Sequence, residues 1–334
     1  MNIKKYIWIA MCLFCFIQGL HAHSIAFVHI GANFPSHLYK TVLQARLFNE
    51  ECPIFLIAPQ SAIQNIDRSF EDLRVTLIPC ESLISSKAHI DFIMNPQQDW
   101  SFEGLWVYSS ERFFYLEELI RQYNLSEVFH IESDVLLYTD LETFLPVFRR
   151  RYQGMLGAVF ENDRRCVPSI LYIADIMPIK ALIDFYPKKV HVMQSDMDII
   201  ASFKDKYHQV FIDFLPITVP EYSKDYPLIG ASIISKIPEL YSNNVEEFGA
   251  IFDGAAFGIY LAGWNSRWHP NNGPGVISEY SVINPSLFTL NWEVDFKGRI
   301  VPFVFYKDKK IQIVNLHITN KSMIDQFLSV VNKN

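Results

Sequence analysis

The sequence predicts a single α/β domain built on a mostly parallel central sheet, with helices on its faces and a small β hairpin near the C-terminus. Three observations carry that expectation. Short, continuous apolar runs recur along the chain, as in strands buried on both faces. Segments with apolar residues at helical spacing separate them, giving strand–helix–strand units. Half of the 334 residues are apolar and 15% are aromatic, enough for one large core.

The elements follow in order. Lys4 and Lys5 precede an apolar run from Tyr6 to Ile17, and Gln18-Gly19-Leu20-His21-Ala22 offers a cleavage region. The run is about 12 residues, short of the ~20 that a membrane-spanning helix needs. A signal peptide over 1–22 is expected, with a short N-terminal anchor as the other reading. Either places the domain, 23–334, across a membrane: secreted, periplasmic or in a secretory lumen. "SIAFVHI" (Ser24 to Ile30) reads as the first strand, and Gly31 and Pro35 as turn residues behind it. Ser36 is expected to cap a helix that buries Leu38, Val42 and Ala45. "IFLIA" (Ile54 to Ala58) and "VTLIP" (Val75 to Pro79) are the next strands. A helix is expected from Ser109, with Phe113, Leu116, Ile120 and Tyr123 on one face, leading through Asn124-Leu125 into the strand that carries Glu132 and Asp134. Further strands are expected over Met155 to Phe160 and Val210 to Ile217. Two β-rich runs around Lys307-Asp308-Lys309-Lys310 form the hairpin.

Charge narrows the function. With 29 basic and 36 acidic residues, a net charge of −7 and no basic run, the chain lacks the phosphate-neutralising face of a nucleic-acid binder. Beyond residue 22 the cysteines are Cys52, Cys80 and Cys166. An odd, widely spaced set fits neither a disulfide framework nor a zinc site. Buried free thiols or a single bridge remain open.

The acidic motif is the centre of the reading. Val128 to Ile131 is followed by Glu132-Ser133-Asp134 and another apolar run. Carboxylates at the end of a buried strand are costly unless paired or bound to a cation. On an extended backbone residues two apart point the same way, so Glu132 and Asp134 would face one point and could hold Mn2+ or Mg2+. Ligands of open parallel sheets bind outside such strand ends. The other reading is a solvated strand end whose acids cap the next turn.

Here the residues resemble a family. Glu132-Ser133-Asp134, after a helix beginning "SSERFFYL" and a strand "EVFHI", resembles the Asp-x-Asp site of GT-A nucleotide-sugar glycosyltransferases of the glycogenin and lipopolysaccharide-galactosyltransferase type. "GAVFEND", "SILYIADIMPIKAL", "QSDMDIIASF", "FIDFLPI" and "IVNLHITNK" follow in the family's order, from about Ile25 to Lys321. The resemblance implies a GT-A domain that transfers a sugar from a UDP- or GDP-sugar to a glycan, lipid or protein acceptor. It implies Glu132, Asp134 and His317 as ligands of Mn2+ or Mg2+, with the donor diphosphate completing the shell. The sequence departs from the family in using Glu132 for the first Asp, in Pro168-Ser169-Ile170, and in Met197. A non-enzymatic exported glycan-binding protein on the same scaffold is the alternative.

Further residues are placed around that site. Arg112, read as lying in the first turn of its helix where the dipole disfavours a cation, should be held by an anion, either a core carboxylate or the nucleotide. Gly31 and Asn33 follow the first strand and are candidates for the nucleotide side, along with Ser133; an ordinary βα turn is the other reading. In "FDGAAFGIYLAGWN", Asp253 is either the general base on an acceptor hydroxyl or a helix cap, and Gly258 needs close packing or ligand approach to offset its cost in a helix. Trp264 and Trp268 offer apolar faces suited to sugar rings at an acceptor site.

Overall fold

The computed structural model describes residues 23–95, 101–189, 195–225, 235–264 and 273–329. The expected signal segment lies outside them. Among the described residues no helix is long and apolar enough to cross a membrane.

A seven-stranded sheet in the order β3-β2-β1-β4-β7-β6-β8 forms the frame. Strand β1 (Ser24–Val28) pairs in parallel with β2 (Ile54–Ala58) on one side and β4 (Val128–Ile131) on the other, and β2 pairs in parallel with β3 (Val75–Pro79). Their apolar runs are buried because both faces are covered: Ile25, Ala26, Phe27, Leu56, Ile57 and Phe129 are fully enclosed. Beyond β4 the direction reverses. Strands β6 (Leu156–Asn162) and β7 (Arg165–Ile173) form an antiparallel hairpin, and β7 inserts between β4 and β6, antiparallel to both. The three-residue β8 (Ile212–Phe214) closes the edge in parallel with β6.

Helices lie between and over these strands. Helix α1 (Ser36–Phe48) buries Leu38, Val42 and Ala45 as expected, but Ser36 does not cap it. Pro35 holds the cap position and no side chain accepts from the first turn. Helix α2 (Lys87–Ile93) packs on α3 (Ser101–Tyr123). Helix α3 begins eight residues before the expected start, so Arg112 lies near its middle and the helix dipole has no bearing on it. Helices α4 (Ile176–Phe185) and α5 (Asp196–Tyr207) follow β7. The seven-residue α6 (Ala256–Ala262) follows the short strand β9 (Ala250–Ile251).

The C-terminal part adds a second sheet, β10-β11-β12-β9, in which β11 (Ile300–Tyr306) and β12 (Lys309–Ile313) form the expected hairpin beside β10 (Thr289–Val294). Finally β5 (Val135–Leu137) pairs antiparallel with β13 (Asn315–His317), joining the middle of the chain to its end. Cys52, Cys80 and Cys166 are buried free thiols.

One buried polar cluster locks α2 onto α3. The ring of His89 stacks on Phe114 at 5.1 Å between centroids, with Nδ1 2.8 Å from Glu118 and Nε2 3.3 Å from Glu111. Burial opposes its charge, but the two glutamates outweigh that and hold its pKa at about 9. A folded-state pKa above the unfolded value of about 6.5 gives stability that is complete below pH ~6.5 and is lost as pH rises through about 9. We expect His89→Gln to lose stability relative to the wild type at pH 6, and the gap to narrow by 1–3 kcal/mol (order of magnitude) by pH 10. Urea midpoints at the two pH values check this; a gap that does not change with pH would leave His89 uncharged in the fold.

Candidate functional site

The site forms where the strand order of the sheet reverses, between the parallel strands β1 and β4. Strand β1 leads away toward β2 and β3, while β4 begins the other half, so the loops after β1 and β4 leave the sheet at its switch point, where open parallel sheets form a ligand crevice. The loop after β1 holds Gly31 and Asn33, and the turn after β4 holds Glu132, Ser133 and Asp134.

The acidic residues converge by a different route from the expected one. The backbone does not stay extended: Val135 N–H donates to the carbonyl of Glu132 at 3.1 Å, and the chain turns at Ser133-Asp134 into β5. Thr41 Oγ1 of α1 donates to the Ser133 carbonyl at 2.7 Å and pins that turn. Strand β13 then brings in His317, which lies opposite Val135 in register. One ligand atom from each of Glu132, Asp134 and His317 lies within 4.8 Å of the others. The imidazole Nε2 is 3.4 Å from Asp134, and Nδ1 is 2.6 Å from the carbonyl of Gly254. A carbonyl can only accept, so Nδ1 carries a proton and the lone pair of the neutral ring is on Nε2, turned toward the acids.

Arg112 is held by core carboxylates. Its guanidinium donates to Glu132 and, at 2.5 Å, to Asp196 at the start of α5. Burial would raise the carboxyl pKa of Glu132, but Arg112 and His317 outweigh it and hold it below the usual range. Asp196 is pushed up by burial despite Arg112. Asp134 is opposed by burial too, yet Lys321 and His317 hold it well below its ordinary value. Burial disfavours the charge on His317, and Asp134 and Glu132 override it, raising the pKa to about 9.

The donor set suits a hard divalent cation: two carboxylates and one imidazole whose other nitrogen is fixed by a carbonyl. Glu132 also keeps a buried oxygen, Oε2, with no hydrogen-bond partner among the described residues. Buried carboxylate oxygens seldom stay unpartnered without reason, and a cation would satisfy this one.

Asp253 is nearly fully buried. One oxygen accepts the N–H of Phe257 at 3.0 Å, and the other accepts those of Gly258 at 2.9 Å and His317 at 3.1 Å. Burial lifts its pKa to about 6 against these donors. Its side chain therefore ties the first turn of α6 to the strand that carries His317. Gly258 permits that contact: a Cβ there would lie 1.9 Å from the His317 carbonyl oxygen. Gly258→Ala should separate α6 from β13, cost about 1–3 kcal/mol, and weaken cation binding by moving His317. Paired melting and Mn2+ titration check it; intact stability and affinity together would contradict the contact.

The remaining candidates have contacts of their own. Asn33 is exposed, and its carbonyl accepts from His29 Nε2 at 2.9 Å; a Cβ on Gly31 would meet that same ring nitrogen at 2.9 Å. Trp264 is half-buried and meets Tyr280 edge-on at 6.4 Å, and the guanidinium of Arg165 lies over Tyr280 at 4.9 Å. Trp268 lies outside the described residues. Two residues were not singled out from the sequence: Asp196, the second partner of Arg112, and Lys321, whose Nζ is 2.8 Å from Asp134. For Lys321 the available signal was its place four residues after His317, close enough to reach the same site.

No family model and no curated protein matches this chain. Among solved structures it is similar to mouse xyloside xylosyltransferase 1 in its apo form, at 9% identity and a TM-score of 0.43, covering 66% of this chain and 93% of that one. It is similar to the PaToxG glycosyltransferase at 12% identity and a TM-score of 0.40, covering 62% and 81%. It is also similar to the galactosyltransferase LgtC in complex with donor and acceptor sugar analogs, at 13% and 0.39, covering 60% and 77%.

Proposed function

We propose that this chain is a metal-dependent glycosyltransferase of the GT-A type, transferring a sugar from a nucleotide-diphosphate sugar to an acceptor. One observation carries the reading: Glu132, Asp134 and His317, from two distant parts of the chain, meet at the switch point of a mostly parallel sheet. That placement supports a ligand crevice, and the donor set supports Mn2+ or Mg2+ there. When bound, the cation supplies positive charge to the leaving nucleoside diphosphate as the bond to the sugar breaks.

The chain's own residues do the positioning. Arg112 holds Glu132 and Asp196 by charge-assisted hydrogen bonds. Gly254 and Asp253 fix the ring and backbone of His317. The Gly31–Asn33 loop is assigned to the nucleotide side because it borders the crevice. Asp253 is assigned a positioning role, since its oxygens are taken up by backbone donors. Trp264 and Trp268 are assigned to a glycan, lipid or protein acceptor, and the exported location stays with the N-terminal segment.

A thermal-shift series with UDP-, GDP- and CMP-sugars, each with and without Mn2+, tests the reading. A ligand that binds the native state raises its melting temperature by linkage. The expected result is a shift that requires both the metal and one nucleotide class. A folded sample that responds to none of the pairs overturns the transferase reading; a response to free glycans instead would support the glycan-binding alternative.

A further inference from the structure

Asp134 already has a cation of its own. The ammonium of Lys321 lies 2.8 Å from Oδ2, and His317 faces Oδ1. Glu132 and Asp196 share Arg112. Three acids therefore face two permanent cations, Arg112 and Lys321, with the imidazole of His317 beside them.

The two basic side chains are built differently. Arg112 is mid-helix, its side chain 11% exposed, and bonded to two carboxylates. Lys321 opens the short 3-10 segment Lys321–Phe327, its side chain 39% exposed, and among the described residues its ammonium pairs with Asp134 alone. A planar guanidinium in a two-acid fork is fixed, whereas an ammonium on a four-carbon stem turns away easily.

We propose that Lys321 is a tethered counter-ion for Asp134 that a divalent cation must displace, so that the lysine opposes metal binding in the nucleotide-free protein. This rests on the metal-site reading above. The physical basis is like-charge repulsion. An ammonium and a divalent cation on one carboxylate lie within a few ångströms, where charges near a protein surface still interact strongly. The displaced ammonium stays at the crevice, where the diphosphate of a donor would offset its lost partner. Metal and nucleotide should then each bind weakly alone and strengthen one another by the same factor.

Mn2+ titration followed by electron paramagnetic resonance, on the wild type, Lys321→Gln and Lys321→Arg without nucleotide, tests this. Lys321→Gln is expected to bind Mn2+ about tenfold more tightly than the wild type, as removal of one nearby positive charge predicts. Lys321→Arg, which keeps the charge, should stay close to the wild type. UDP should raise Mn2+ affinity more in the wild type than in Lys321→Gln. Equal or weaker Mn2+ binding by Lys321→Gln overturns the proposal while leaving the metal site standing. A wild type and variant that both ignore Mn2+ overturn the metal site itself. A second measurement needs no variant: amine acetylation of the native chain, read by mass spectrometry. Mg2+ should raise modification of Lys321 relative to the other lysines, and an unchanged ratio counts against displacement.

Discussion

Replacing Asp134 with asparagine is expected to lower Mn2+-supported affinity for a nucleotide sugar about a hundredfold or more, with little change in the fold. Removing a group that only supports a ligand commonly costs 10–100-fold in metal affinity, and Asp134 is assigned as a direct ligand. The amide keeps the shape but loses the charge, and Asp134 is the largest influence raising the pKa of His317. The fold should survive because the partner left behind, Lys321, is partly exposed and can return to water. Calorimetric titration with UDP and Mn2+, beside a melting curve, reads both effects. Unchanged affinity in a folded variant removes Asp134 from the site.

The second large effect concerns stability. Arg112→Met should cost about 3–5 kcal/mol, because it leaves Glu132 and Asp196 enclosed without their countercharge. The two acids would then compete for protons, and the loss should shrink below about pH 5 as they take them up. Urea denaturation at pH 7 and pH 4.5 measures it. A penalty of the same size at both pH values would mean that the lost contact of the guanidinium with the Phe113 ring, 5.0 Å from its centroid, matters more than the two carboxylates.

Local pattern made much of this legible. The runs Ile25–Phe27 and Ile54–Ala58 are continuous and apolar because they sit between covered faces, so their burial is legible directly. The hairpin around Lys307-Asp308 showed itself through its turn, and Lys307 does adopt a left-handed φ of 53° there. Pairings across the chain were harder. Nothing local in Arg165–Ile173 says that it runs against β4 and splits it from β6. The apolar pattern from Ser109 marks only the second part of α3, so Arg112 sits mid-helix and not in a first turn. Glu132, Asp134 and His317 were each identified, but the geometry that joins them was misread, because a turn and a remote strand replace simple alternation. For Lys321 the spacing from His317 is only a weak signal, and its contact with Asp134 gives it meaning.

The pairing of β5 with β13 has a consequence for biosynthesis. Asp134 and His317 are neighbours in space, but the ribosome makes them far apart in time. A chain interrupted between Phe214 and His317 already contains all seven strands of the main sheet, yet it lacks one of the three candidate cation ligands. Closing so long a loop is among the slower steps of folding, since the entropy is spent before the contacts form. The site should therefore mature after the sheet. Partial products and early folding intermediates would be inert toward nucleotide sugars, and competence would arrive only once the end of the domain has docked.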